Sequence, residues 1–177
     1  KRKRLGIKSV IATLAAAGIT AGATGLAVLV GGWYNIGATA QHLPLVYSVL
    51  NTGLGYSVAH HARDVQVPQL GAPAQLRRGA AVYSAHCAQC HGGPGVAPSD
   101  FGKSMQPTPG PLIDAAEHWR TRELYWITRH GIKMSGMPAW GVHLSDEDIW
   151  ATVAFLEVLP RLTPQAYREA TAQGAAP

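Results

Sequence analysis

Leu76-Arg77-Arg78-Gly79-Ala80-Ala81-Val82-Tyr83-Ser84-Ala85-His86-Cys87-Ala88-Gln89-Cys90-His91 is the stretch on which the reading of this sequence turns. Leu76, Ala80, Tyr83 and Cys87 recur at the spacing of a helix that buries one face. The two cysteines of the chain, Cys87 and Cys90, are three positions apart, with His91 directly after the second. That spacing is awkward for a structural staple and typical of metal, redox or haem chemistry. A zinc site would want a second Cys or His pair, and the chain has no further cysteine. A thioredoxin-like pair would sit in a βαβ pattern, and no alternating strand pattern is present. C-x-x-C-H is the attachment motif of c-type haem. One helical turn brings Cys87 and Cys90 to two vinyl groups of one porphyrin, and the adjacent His91 can give an imidazole nitrogen to the iron.

Two further helices follow. The first is expected over Thr121 to His130, with Leu124, Ile127 and Thr128 inward and Gly131 as its stop. The second is opened by Ser145 and Asp148 as a variant capping box, with Leu144 and Ile149 as a hydrophobic staple. Ile149, Val153 and Leu156 form its buried face, and Pro160 ends it. Between the two lies Gly136-Met137-Pro138-Ala139-Trp140, with Met137 placed 46 residues after His91. A thioether is a soft, neutral ligand that suits low-spin iron and raises its potential relative to two imidazoles. Met137 is the expected second ligand, stiffened by Pro138; Met134 and Met105 are the alternatives.

With these pieces in place, residues 75–162 resemble class I cytochrome c domains. The resemblance rests on Gly79 and Tyr83 before Cys-Ala-Gln-Cys-His, on Leu124-Tyr125-Trp126-Ile127 leading to Gly131, on Gly136 to Trp140, and on Asp148-Ile149-Trp150 through Phe155-Leu156. It implies an all-α fold whose first and last helices cross near Gly79 and Phe155. It also implies one covalent haem c, axial ligands His91 and Met137, and haem-lining roles for Trp126, Ile127 and Trp140. Pro98 is the candidate to offer its carbonyl to the other ring nitrogen of His91. With both axial positions filled, the implied function is single-electron transfer rather than catalysis. The competing readings are a freestanding membrane-tethered electron shuttle and a haem enzyme or gas sensor with a displaceable methionine. Glu117-His118 reads as part of a solvated turn rather than an acid/base pair.

Charge points to a membrane and away from nucleic acid. The formal net charge is +5, and Lys1, Arg2, Lys3, Arg4 and Lys8 supply five positive charges, leaving 10 basic and 10 acidic residues from position 9 onward. Between Lys8 and Arg63 there is no charged side chain. Ser9 to Gly32 form 24 apolar or small positions that end at Trp33-Tyr34. About 20 helical residues span the hydrocarbon core, and aromatic residues collect at its interfaces. A cleaved signal peptide is the alternative, with Ala38 and Ala40 resembling a cleavage site, but signal cores are shorter, about 7–15 residues. The expectation is a single-pass anchor in the bacterial inner membrane, its basic start cytoplasmic and the haem domain on the periplasmic side. Gly18 and Gly22, and Ala17, Ala21 and Gly25, repeat every four residues, a stripe that lets another helix approach in lipid.

The expected organisation is an anchor over 1–33, an apolar helix and linker over 34–74, the haem domain over 75–162 and a loosely ordered tail over 163–177. Pro44 can open a short apolar helix with Leu45, Val49 and Leu54 on one face, lying on the membrane surface, on a partner or on its own domain. Gly53 and Gly55 interrupt that stretch, and His60 and His61 are expected to be solvated. More loosely, the membrane-anchored layout and the stretch from Tyr34-Asn35 to Pro44 resemble cytochrome subunits that accompany periplasmic molybdenum-containing dehydrogenases, covering residues 33–63 in outline. The partners so implied are redox proteins, namely dehydrogenase or terminal oxidase subunits in a hetero-oligomeric complex, and membrane lipid.

Overall fold

Residues 6–174 are described by the computed structural model; Lys1, Arg2, Lys3 and Arg4 of the basic start, and 175–177 of the tail, lie outside the described residues. The chain divides into two units, residues 1–40 and 41–177. The first unit contains α1 (Ile7–Val30), 24 residues with none buried, long and apolar enough to cross a membrane. Trp33 follows it with its ring exposed.

In the second unit every described element is helical apart from one isolated bridge between Gly93 and Val96. It opens with α2 (Pro44–Ala62), which has Pro44 in its first turn, where the missing N–H costs nothing. Gly53 and Gly55 lie inside this helix without breaking it. Leu45 and Val49 are exposed and do not share the half-buried face of Leu54. The packed stripe is instead Leu54, Val58 and Ala62, of which the last two are fully buried. Arg122 donates to the carbonyl of Arg63 at 3.0 Å and ties the end of α2 to the rest of the unit.

The polypeptide then runs through α3 (Pro73–Val82), a π turn (Tyr83–Cys87) and α4 (Ala88–His91) as one nearly continuous helix. The π turn is closed by the Ala88 N–H on the Tyr83 carbonyl, and it keeps both Tyr83 and Cys87 buried. Short helices α5 (Asp100–Lys103) and α6 (Ala115–His118) follow. Next come α7 (Thr121–His130), which matches the expected bounds, α8 (Asp146–Val158) and α9 (Pro164–Gly174).

The core is the crossing of α3 on α8. A Cβ on Gly79 would run into the carbonyl of Ala151 and the Cβ of Phe155, so only glycine lets these backbones meet. Around that contact Tyr83, Ile149, Val153, Phe155 and Leu156 are buried, each contributing about 1.5–3 kcal/mol relative to exposure. The Tyr83 hydroxyl donates to the Gly92 carbonyl at 2.8 Å, which satisfies a buried polar group. Helix α8 is buried around most of its girth from Ala151 to Leu156, more than the three-residue stripe read from sequence.

The expected loose tail is corrected by α9. Tyr167 is 3% exposed and its ring lies edge-on to Tyr83 at 6.2 Å, while Ala170 one turn on packs against the same core. A single aromatic among Ala and Gln is a weak helical stripe, which is why composition pointed to disorder.

Arg78 joins the two core helices electrostatically, with its Nε 2.6 Å from the Asp148 carboxylate and Nη1 2.5 Å from Glu147. Asp148 also closes the capping box: its N–H donates to Ser145 Oγ, and its carboxylate accepts from the Ser145 N–H and hydroxyl. The Arg78 hydrogen bond, followed by that from Ser145, holds the Asp148 carboxyl below the usual carboxylate range. A pKa depressed in the folded state gives stability that is present at neutral pH and is lost as pH falls through the folded value. Asp148→Asn is expected to lower the unfolding free energy by about 1 kcal/mol at pH 7. In thermal melts the gap to wild type should close below the ordinary carboxylate range. A gap that does not depend on pH would mean that Asp148 acts through packing alone.

Candidate functional site

The helical run that begins at α3 delivers Cys87, Cys90 and His91 to the wall of a cavity of about 610 Å³. Burial, with the neighbouring Cys90 second, pushes the Cys87 thiol up to about 12. That is the opposite of the lowered thiol pKa on which a redox dithiol depends. Among the described residues no three His, Cys, Asp or Glu side chains gather as a metal cluster.

His91 is oriented by the backbone. Its Nδ1 lies 2.7 Å from the Gly110 carbonyl oxygen, which can only accept, so Nδ1 carries the proton. The Nε2 lone pair is then available as a donor to a metal, and the hydrogen bond fixes the ring plane. Burial lowers the His91 pKa against the opposing effect of the Gly110 bond, which favours the neutral, ligating form.

Pro98 is therefore corrected as the partner of His91. Gly110, flanked by Pro109 and Pro111, provides the carbonyl. The chain after His91 turns back at once through the Gly93–Val96 bridge, and the Ser99 N–H donates to Gln89 O at 2.9 Å. This places Pro98 beside Gly92, and it is a later loop, at Gly110, that reaches the imidazole.

Met137 lines the same cavity as the two cysteines and His91. Its loop is pinned from both sides: the Ile132 N–H donates to the Met137 carbonyl at 3.1 Å, and the Met137 N–H donates to Ser135 Oγ at 3.1 Å. Gly131 makes the turn at φ 66°, and a Cβ there would sit 2.6 Å from the carbonyls of Met137 and Pro138. Met134 is 78% exposed and is not among the cavity-lining residues. Met105 does line the cavity, its side chain lying against Gly136, so it replaces Met134 as the rival donor.

Ile127 and Trp140 line the cavity, and Trp126 does not. On α7, Leu124, Ile127 and Thr128 face the cavity at helical spacing, which turns residue 126 outward. Trp126 instead stacks on His61 at 5.6 Å and 12°, with His130 at 4.9 Å, while His61 itself stays exposed. Sequence reasoning missed Thr152 and Leu156 of α8, and Tyr47, Asn51 and Leu54 of α2, all of which line the cavity. For the α8 pair the signal was present in the helical register. For the α2 residues it lay in a 4-then-3 spacing outside the recognisable domain.

The walls are mainly apolar, and the donors offered are two thiols one turn apart, a neutral imidazole and thioethers. That set suits a covalently held haem and little else. The family model described as "Cytochrome C oxidase, cbb3-type, subunit III" matches residues 74–156. Residues 74–156 are a monohaem class I cytochrome c domain. Cys87 and Cys90 of this cytochrome c domain are the attachment points of its haem c. No curated protein and no solved structure matches the chain.

Because the cytochrome c domain places Met137 through a glycine-only turn, Gly131→Ala is expected to destabilise it by more than about 1 kcal/mol, measured by thermal melting. Wild-type melting would show that the Met137 loop yields to a side chain at Gly131.

Proposed function

We propose that the chain is an anchored electron-transfer subunit of a respiratory oxidoreductase complex. His91 and Met137 would hold the iron of its haem c. The observation that carries this reading is that one cavity gathers Cys87, Cys90, an Nε2-available His91 and a loop-pinned Met137. Haem c supplies a one-electron ferric/ferrous couple. Cys87 and Cys90 retain the group, Gly110 fixes the His91 ring, and the 131–138 loop presents a neutral sulfur. The apolar wall formed by Leu124, Ile127, Leu156 and Trp140 excludes water and favours the less charged reduced state. If His91 and Met137 both hold the iron, the domain would accept and pass single electrons rather than catalyse a reaction.

A long apolar helix before the domain supports a single-pass inner-membrane anchor, with residues after about 33 on the periplasmic side. The small-residue stripe of α1 supports a helix partner in lipid. The electron partners so inferred are dehydrogenase or terminal oxidase subunits.

Two measurements test this. Met137→Ala should lower the midpoint potential and make the reduced protein bind carbon monoxide, while Met105→Ala should do neither. The reverse pattern would make Met105 the ligand, and carbon monoxide binding by the wild type would favour a gas sensor or haem enzyme. Purification in mild detergent should yield companion subunits; a bare monomer would contradict membership of a complex.

A further inference from the structure

Helix α2 lies outside the matched span of 74–156, yet it forms part of the cavity wall. Tyr47, Asn51 and Leu54 line the cavity that holds Cys87, Cys90 and His91. Val58 and Ala62 continue the stripe, fully buried, and His61 stacks on Trp126. The steps from 47 to 51, 54, 58 and 62 are four, three, four and four residues, one face of a helix over its whole length. The C-terminal half of this face docks on α7, and its N-terminal half borders the cavity.

A second contact fixes that arrangement. Gln41, His42 and Tyr47 share a smaller cavity with Gln106, Pro107 and Thr108. Those three residues precede Gly110, whose carbonyl holds His91. The start of α2 thus abuts the loop that orients the histidine.

We propose that α2 is a wall of the haem site added to the cytochrome c domain, in which Tyr47, Asn51 and Leu54 restrict access of water and small reductants to the haem and tune its potential. This rests on the assignment of the cavity to haem c. Solvent exposure and nearby polar groups set the potential of such a centre, because water favours the more charged oxidised state. A charge placed at Asn51, which lines the cavity, therefore acts on the site more directly than one on another face of the helix, which acts through solvent alone.

The test uses the full-length haem-loaded protein in detergent, with redox titration as the readout. Asn51 is exposed at its surface side, so charged substitutions there are compatible with folding. Asn51→Asp should lower the midpoint potential and Asn51→Lys should raise it. The same pair at Thr52, one residue on and turned by about 100° around the helix, should produce clearly smaller shifts. In stopped-flow reduction by ascorbate, Leu54→Ala should react severalfold faster than wild type, while Val49→Ala on the outer face should match wild type. Equal shifts at positions 51 and 52, or unchanged ascorbate rates for Leu54→Ala, would overturn the wall. Absence of covalent haem from the wild type would overturn the haem assignment itself, and that outcome is visible before any variant is compared.

Discussion

The close approach of α3 and α8 at Gly79 is the constraint on which the rest of the second unit depends. A glycine against the Ala151 carbonyl lets two helix backbones touch, and neither a larger residue nor a compensating shift is available where both partners are backbone or buried core. The ends of these two helices then have fixed positions. The run from α3 carries the cysteine pair and His91 from the crossing to the cavity, and α8 lines the same cavity with Thr152 and Leu156. Arg78 clamps the crossing to the cap of α8, and Tyr167 closes it from the far end of the chain.

From that frame the chemistry follows with few polar groups. One backbone carbonyl, that of Gly110, sets the tautomer and plane of His91. One glycine turn and one serine hydroxyl place Met137. A cavity with neutral donors and apolar walls disfavours extra charge on an iron centre, the requirement for a carrier that is easily reduced. His118, beside Glu117, is exposed; its hydrogen bond to the Asp114 carbonyl, followed by the Asp114 carboxylate, raises its pKa.

The parts legible in the sequence are those written in local chemistry. The bounds of α7 follow from its amphipathic period and the positive-φ Gly131, and the start of α8 from a capping box that the structure reproduces atom by atom. The cysteine pair and histidine were legible because their chemistry needs one fixed spacing. What was not legible depends on long-range placement. Which carbonyl meets His91 is decided by how the chain folds back after Gly92, not by the nearest proline. The family resemblance implies a haem-lining Trp126, but the direction of that side chain is set by the register of α7. The burial of Tyr167 and the inward stripe of α2 rest on contacts that neither segment reveals by composition. In α2 nearly every residue is uncharged, so periodicity has little contrast to work with.

Intact-mass measurement of the protein produced with c-type haem maturation tests the central claim most directly. A mass increase of one haem is expected, located by peptide mapping to the segment containing Cys87 and Cys90, with neither sulfur open to alkylation. An unmodified mass, or two cysteines that both alkylate, would contradict it.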